Sequence, residues 1–182
     1  MALVHTPAAQ IGSPCPPFKL TSVDDIKYSL NSFRDHKALV VMFICNHCPY
    51  VKAIEDRLLA LAREFAKKPV HFVAICSNDG ENYPEDSKEN LLKRFKEKKY
   101  PFPYLHDVTQ KIARDFGAVC TPDFFVYDEN NKLAYRGRLD DSWKDESKVT
   151  QHDLKDAITN LVSGRAPSAT QNSSMGCSIK WL

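Results

Sequence analysis

One stretch of sequence most constrains the fold of this chain: an apolar run that leads directly into two cysteines. Residues 38–44 carry only apolar side chains, as expected of a central strand that is covered on both faces. Cys45 and Cys48 follow, and from residue 51 to residue 65 the apolar residues recur at helical spacing, with Pro49 in the first turn. The stretch therefore predicts a buried strand, a cysteine-bearing turn and the start of a helix.

The start of a helix is a favourable position for a reactive thiol. Unpaired N–H groups and the positive end of the helix dipole stabilise a thiolate there and lower the pKa of the cysteine. The thiolate is the form that attacks disulfides and peroxides. The first hypothesis for Cys45 and Cys48 is therefore thiol redox chemistry.

The rest of the chain predicts an α/β fold, with a central mixed β-sheet flanked by helices and extended by an N-terminal hairpin. The predicted elements are a hairpin within 14–34, a strand at 70–76, a helix at 87–97, a short helix capped by Asp107 and ended by Gly117, strands at 123–128 and 132–139, and a helix from Thr150 to Gly164. In the short helix we expect Val108 on the buried face, and in the last helix Asp153 is expected in a capping-box position. Residues 1–164 are thus predicted to form one domain.

Residues 165–182 are predicted to form a C-terminal tail. Residues 165–176 are rich in Ser, Asn, Ala and Gln, as a linker would be, but the chain then ends in Ile179, Trp181 and Leu182. Such an apolar end predicts docking on the domain or on a second subunit, so an oligomer formed through the tail is one expectation.

Composition and charge argue against several functions. The 182 residues suffice for one domain with a well-buried core, and a net charge of +2 gives no reason to expect a nucleic-acid partner. The N-terminus lacks a basic start followed by an apolar run, and no apolar stretch is long enough for a bilayer, so no membrane association is expected. A cytoplasmic location is expected by default, and there six cysteines are best interpreted as thiols.

The Cys-x-x-Cys spacing is also that of half a zinc site. No second Cys-x-x-Cys or His-x-His lies nearby in the sequence, although Cys120 and His47 are available as further ligands. The alternative to a redox enzyme is therefore a zinc-binding or partner-docking module. The redox hypothesis is preferred, and it requires no cofactor and no metal.

The order of strand, Cys-x-x-Cys, helix and a Thr-Pro pair before a hairpin strand resembles the thioredoxin superfamily over about residues 14–164. Within that superfamily, the sequence from Phe43 to Tyr50 and the C-terminal Gly-Cys-Ser-Ile-Lys-Trp are similar to a peroxiredoxin-like branch of AhpC/TSA-type, or redoxin-domain, proteins. The resemblance implies a thioredoxin-like fold in which Thr121 and Pro122 are joined by a cis peptide bond that lies against the cysteines. Because a proline leaves a strand edge unpaired, these two residues are expected to form a wall that pairs with an extended substrate.

Two assignments of the cysteines are compatible with this resemblance. In a thiol–disulfide oxidoreductase, Cys45, expected to be the more exposed sulfur, attacks a substrate disulfide and Cys48 resolves the mixed disulfide. In a thiol peroxidase, Cys48 attacks hydrogen peroxide or an alkyl hydroperoxide, and Cys45 then forms a disulfide with it. Cys48-Pro49 matches the peroxidatic cysteine of peroxiredoxins, and Cys45 occupies the position, three residues earlier, at which those proteins carry Thr or Ser. His47 is expected to favour the thiolate and make the dithiol more oxidising than thioredoxin, whose potential is about −270 mV.

Disulfide exchange is the leading prediction. The expected substrate is a disulfide-containing protein, with a peroxide as the alternative, and a dithiol protein or a small thiol is expected to supply the electrons. Peroxide-dependent oxidation faster than that of a simple dithiol would favour the peroxidase.

Cys120 and Cys177 are candidates for additional redox roles. Cys120 precedes the Thr-Pro pair, and packing as a small apolar residue is its alternative. Cys177 has a place similar to that of the resolving cysteine in two-cysteine peroxiredoxins, and its alternative is simple anchoring of the tail. Arg136 and Arg138 are expected either near the reactive sulfur or in a surface salt bridge with the aspartates that follow them.

Overall fold

A computed structural model describes residues 3–182. The strands are β1 (Leu3–His5), β2 (Lys19–Ser22), β3 (Lys27–Ser29), β4 (Ala38–Phe43), β5 (Val70–Cys76), β6 (Tyr104–His106), β7 (Cys120–Thr121), β8 (Asp123–Asp128), β9 (Leu133–Gly137) and β10 (Met175–Ser178). The helices are α1 (Pro49–Glu64), α2 (Lys88–Lys98), α3 (Lys111–Phe116) and α4 (Asp153–Val162). None of the helices in this described range is both long and apolar enough to cross a membrane.

Seven strands form one mixed sheet in the order β3-β2-β6-β5-β4-β8-β9. β4 and β6 run parallel to β5, whereas β8 runs antiparallel to β4 and β9 antiparallel to β8. Every residue of β4 is buried, because Val40 and Met42 pack in the cluster that contains α1 and α4, while Leu39 and Val41 pack in the cluster that contains α3. The predicted central mixed sheet with helices on both faces is confirmed.

The last helix begins later than predicted. α4 starts at Asp153, because the backbone N–H and the hydroxyl of Thr150 both donate to the carboxylate of Asp141, at 2.9 and 2.5 Å, and hold Thr150 in a loop. Asp153 forms an ion pair with Arg138 at 3.1 Å and makes no capping box with Thr150.

The short helix also differs from its prediction. Gln110 is the N-cap residue of α3, but the carboxylate of the fully buried Asp107 still caps the first turn by accepting from the Ala113 N–H at 3.0 Å. It also accepts from the Ser77 hydroxyl at 2.9 Å, which ties α3 to the end of β5. Val108 lies before the helix and is 65% exposed, so its assignment to the buried face was wrong. Gly117 ends the helix as predicted, with a φ of +64° that suits glycine.

The C-terminal segment forms the middle strand of a second sheet, with the order β1-β10-β7. Ile179 is buried, whereas Trp181 and Leu182 remain 40% and 74% exposed. The tail therefore docks on its own chain, through β10 and Ile179. Docking on a second subunit, and a domain boundary at residue 164, stay predictions.

Candidate active site

The two cysteines lie between the central strand and α1. Cys45 follows the end of β4, and Cys48 is the N-cap residue of α1, with Pro49 as the first helical residue. The exposed fractions are 1% for Cys45 and 0% for Cys48. Both sulfurs are therefore buried, and the expected difference in exposure between Cys45 and Cys48 stays a prediction.

The surroundings of Cys48 favour a thiolate. As a thiol it donates to the backbone oxygen of Thr121 at 3.1 Å. Once ionised, its sulfur accepts hydrogen bonds from the Cys45 thiol first, then from the backbone N–H groups of Cys177 and Val51 and from Thr121, and these outweigh the opposing effect of burial. The pKa of Cys48 is lowered to about 5. The Val51 N–H belongs to the first turn of α1, so the helix start acts as the sequence predicted.

The surroundings of Cys45 favour the protonated form. Burial is the main reason that the pKa of its thiol is raised well above the usual range, followed by its hydrogen bond with Cys48 and the negative charge of Asp86. Its sulfur lies 3.2 Å from the hydroxyl oxygen of Thr121 and 3.8 Å from Nδ1 of His47. The pair therefore holds one proton on Cys45 and the negative charge on Cys48.

Asp86 organises the turn that carries the cysteines. Its fully buried carboxylate accepts from the backbone N–H groups of Asn46 at 2.6 Å and of His47 at 3.2 Å. It also accepts from the Asn78 side chain at 2.8 Å, and its Oδ2 lies 2.5 Å from Nδ1 of His47. Sequence reasoning missed Asp86, because it lies far along the chain in a charged segment where nothing distinguishes it from its neighbours.

The ring of His47 lies beside Cys45, with Nδ1 3.8 Å from the Cys45 sulfur. Its ring stacks on Tyr83 with centroids 5.2 Å apart and is tied to Asp86 through Nδ1. Its Nε2 is buried and has no hydrogen-bond partner among residues 3–182.

The zinc alternative can be judged from the same residues. Within residues 3–182, Cys45, His47 and Asp86 form the one group whose three donor atoms lie within 4.8 Å of one another, and Cys120 is not part of it. Two ligands of a tetrahedral zinc ion lie about 3.4 Å apart, given bonds near 2.1 Å. The 2.5 Å between His47 Nδ1 and Asp86 Oδ2 is a hydrogen-bond distance. The arrangement matches a hydrogen-bonded pair better than a metal centre.

The Thr-Pro pair lies against the cysteines, and its peptide bond is cis, as the resemblance implied. The edge of β7 is not open, however. β10 pairs with it antiparallel, with Cys177 opposite Thr121 and Ser178 opposite Cys120. The expectation of an unpaired edge for an extended substrate is corrected: the chain's own C-terminal strand occupies that edge.

Residues 11–136 of the 182-residue chain match the family model of the AhpC/TSA family. The chain belongs to the AhpC/TSA family. The resemblance to a redoxin-type, peroxiredoxin-like protein is thereby confirmed, and the chain is a redox enzyme. A comparison with curated proteins found no match.

Three solved structures show what this AhpC/TSA-family chain is similar to. An uncharacterized conserved protein from Geobacillus kaustophilus is 45% identical, with a TM-score of 0.95 over 100% of this chain and 97% of that one. The thioredoxin domain of a thiol-disulfide oxidoreductase from Bacteroides vulgatus is 17% identical, with a TM-score of 0.60 over 71% of this chain and 89% of that one. A peroxidoxin from Mycobacterium tuberculosis is 20% identical, with a TM-score of 0.58 over 69% and 83%. The last two confirm the thioredoxin-like fold.

The remaining predicted residues lie around this centre. Cys120 is buried on β7, and burial holds the pKa of its thiol far above the usual range, with Asp123 as a second cause. Cys177 is 2% exposed, and burial together with the neighbouring Cys48 raises the pKa of its thiol to about 11. The structure thus brings Cys48 and Cys177 together.

The two arginines of this family member have structural partners. Arg136 forms a buried ion pair with Asp123 at 2.8 Å, and Arg138 pairs with Asp153 at 3.1 Å. Asp140 and Asp141, the partners considered from the sequence, therefore pair with neither arginine. Neither guanidinium forms a hydrogen bond with Cys45 or Cys48 within residues 3–182.

Proposed function

We propose that this AhpC/TSA-family enzyme is a thiol–disulfide oxidoreductase that cycles Cys45 and Cys48 between a dithiol and a disulfide. The observation that carries the proposal is the hydrogen-bonded pair at the start of α1, in which Cys48 has a pKa of about 5 and Cys45 keeps its proton. A dithiol with one ionised and one protonated member is the reduced state from which exchange begins.

The electrostatics assign the two roles in the order opposite to our first sequence assignment. The Cys48 thiolate attacks one sulfur of the substrate disulfide, and the other substrate sulfur leaves as a thiolate. Cys45 then gives its proton to that leaving group and attacks the Cys48 sulfur. This releases the second substrate thiol and closes the Cys45–Cys48 disulfide, so two electrons pass to the substrate. A dithiol protein or a small thiol regenerates the enzyme by the reverse steps, and we propose the cytoplasm as the setting.

A thiol peroxidase is the second candidate, and the covered site favours it. Both sulfurs are at most 1% exposed, and β10 occupies the strand edge along which an extended chain would pair, so a small oxidant has the easier approach. In that reaction the Cys48 thiolate attacks one peroxide oxygen, the O–O bond breaks, the other oxygen takes a proton and leaves as water or an alcohol, and Cys48 becomes a sulfenic acid. Cys45 then displaces water and forms the same disulfide. Arg136 and Arg138 support the first candidate. Both guanidinium groups are paired with aspartates, Asp123 and Asp153, so neither is available to orient a peroxide at Cys48.

One experiment separates the two reactions. Fully reduced enzyme is mixed with one equivalent of oxidised glutathione or of hydrogen peroxide, quenched with acid, alkylated and digested with trypsin. The peptide spanning residues 38–52 contains both cysteines and no internal Lys or Arg, so a Cys45–Cys48 bridge lowers its mass by two hydrogens. We expect this loss with glutathione disulfide, together with two released glutathione thiols per chain.

The control is Cys15→Ser, which removes a buried thiol that lies apart from Cys45 and Cys48 and should leave the reaction unchanged. Oxidation by peroxide more than about 100-fold faster than that of a free cysteine thiolate would establish the peroxidase instead. If neither oxidant bridges the peptide, both candidate functions are wrong.

A further inference from the structure

The C-terminal strand lies where an extended substrate was expected. Antiparallel pairing sets Cys177 of β10 opposite Thr121, the residue whose carbonyl oxygen accepts from the Cys48 thiol at 3.1 Å. The backbone N–H and the thiol of Cys177 both form hydrogen bonds with the Cys48 sulfur. A cysteine of this same chain therefore occupies the position that a substrate cysteine would take in an exchange reaction.

The tail holds this strand in a fixed register. Before the strand, the hydroxyl of Ser174 donates to the carbonyl oxygen of Pro122 at 2.6 Å. After it, the N–H of Ile179 donates to the carbonyl oxygen of Val119 at 3.0 Å. β1 pairs along the other side of β10 and places Leu3 opposite Cys177. The strand is anchored at both ends and along both edges, so Cys177 is held in a fixed position beside Cys48.

Gly176 permits the close approach of the two strands. A Cβ atom at this position would lie 1.9 Å from the carbonyl oxygen of Thr121 and 2.7 Å from its carbonyl carbon. No side chain fits there, so a glycine next to Cys177 is required for β10 to pack this tightly on β7. The contact between Cys177 and Cys48 depends on that packing.

We propose that Cys177 is a third catalytic thiol, which exchanges with the Cys45–Cys48 disulfide to form a Cys48–Cys177 disulfide. The proposal rests on the proposed function, since it needs Cys48 as the reacting sulfur. In this proposal β10 binds where an extended substrate would bind, and Cys177 reacts as the substrate cysteine would.

The exchange balances without any outside oxidant. The Cys177 sulfur attacks Cys48, the Cys48–Cys177 bond forms, the Cys45–Cys48 bond breaks, and Cys45 leaves as a thiolate. The proton lost by Cys177 is taken up by Cys45, whose thiol this site holds in the protonated form. One disulfide is consumed and one is formed, so the oxidation state of the chain does not change.

The test uses the full chain with Cys45→Ser, in which Cys48 has lost its neighbour in the turn. Oxidised glutathione is added to form the mixed disulfide at Cys48, and release of the bound glutathione is followed with time. We expect release at least about tenfold faster in Cys45→Ser than in the double variant that also carries Cys177→Ser. The double variant Cys45→Ser, Cys120→Ser is the matched control; it removes a buried cysteine from the neighbouring strand and should keep the fast release.

Peptide mapping gives a second readout that needs no change at residue 177. A Cys48–Cys177 bridge joins the tryptic peptide 38–52 to the peptide 166–180, and we expect this pair in oxidised Cys45→Ser. Equal release rates with and without Cys177, or oxidised protein without this peptide pair, would overturn the proposal. If Cys45→Ser takes up no glutathione, the peptide pair is sought in oxidised wild type, where its absence also overturns it. The proposed function fails separately, if wild-type protein forms no Cys45–Cys48 bridge with either oxidant.

Discussion

Replacing Cys48 by serine is expected to abolish turnover of a disulfide substrate, whereas replacing Cys45 by serine preserves the first chemical step. Cys48 carries the thiolate, with a pKa of about 5, and its loss removes the nucleophile. We expect turnover to fall by at least about 1000-fold, the scale seen when the nucleophile of an enzyme is removed. In Cys45→Ser the serine hydroxyl can donate the hydrogen bond that the Cys45 thiol makes to the Cys48 sulfur, so the thiolate remains. One glutathione should still add to Cys48, but the Cys45–Cys48 disulfide can no longer form.

Mass spectrometry of the two variants after exposure to oxidised glutathione measures this difference. Both variants also carry Cys177→Ser, so that Cys177 cannot displace the bound glutathione. The expected pattern is a glutathione adduct on peptide 38–52 when Cys45 is the residue replaced, and none when Cys48 is. The reverse pattern would show that Cys45 attacks first, as our initial sequence assignment had it. Because serine closely matches cysteine in size, the comparison changes the chemistry of each position far more than its packing.

Replacing Asp86 by asparagine is expected to destabilise the reduced protein by about 3 kcal/mol, the scale for removing hydrogen bonds to a buried charged acceptor. Its carboxylate is fully buried and accepts from two backbone N–H groups of the cysteine turn, from the Asn78 side chain and from the His47 ring. An amide keeps one acceptor oxygen but turns a donor toward other donors. The free energy of unfolding can be measured by urea denaturation of the reduced variants.

Glu85→Gln is the matched control for this prediction. Glu85 precedes Asp86 in the sequence, but its side chain is 61% exposed. Among residues 3–182 it pairs with Lys52 alone, at the surface and at 2.8 Å. Surface pairs of this kind contribute little, so the control should change stability by no more than about 0.5 kcal/mol. Equal effects of the two substitutions would contradict the view that Asp86 supports the cysteine turn.

Local patterns in the sequence predicted most of the fold. The apolar run at 38–44, followed by a helical stripe, is a short-range signal, and β4 and α1 form where it placed them. The position of Cys48 at the N-terminus of α1 follows from the same signal. The start of α4 was missed because Thr150 binds Asp141 through its side chain, and a tertiary contact of this kind overrides a capping pattern.

The arrangement inside the site depends on contacts between distant segments. Asp86 reaches the cysteine turn only because the chain folds back over it, and its sequence neighbours give no sign that it is buried. Pairing of β10 with β7 joins residues more than fifty positions apart, so no local pattern reveals that the edge beside Pro122 is closed. The ionisation of Cys45 and Cys48 depends on these same contacts, so the sequence alone left both orders of attack open.

Titration of the reduced protein shows which of the two cysteines forms the thiolate. Absorbance of the fully reduced protein near 240 nm, followed from pH 3 to pH 10, records thiolate as it forms. Because the pKa of Cys48 is about 5, one thiolate should appear as the pH rises through that value. This step should persist in Cys45→Ser and be absent from Cys48→Ser. A first ionisation near 8.5, the ordinary value for cysteine, or a low-pH step that disappears in Cys45→Ser and persists in Cys48→Ser, would contradict the account.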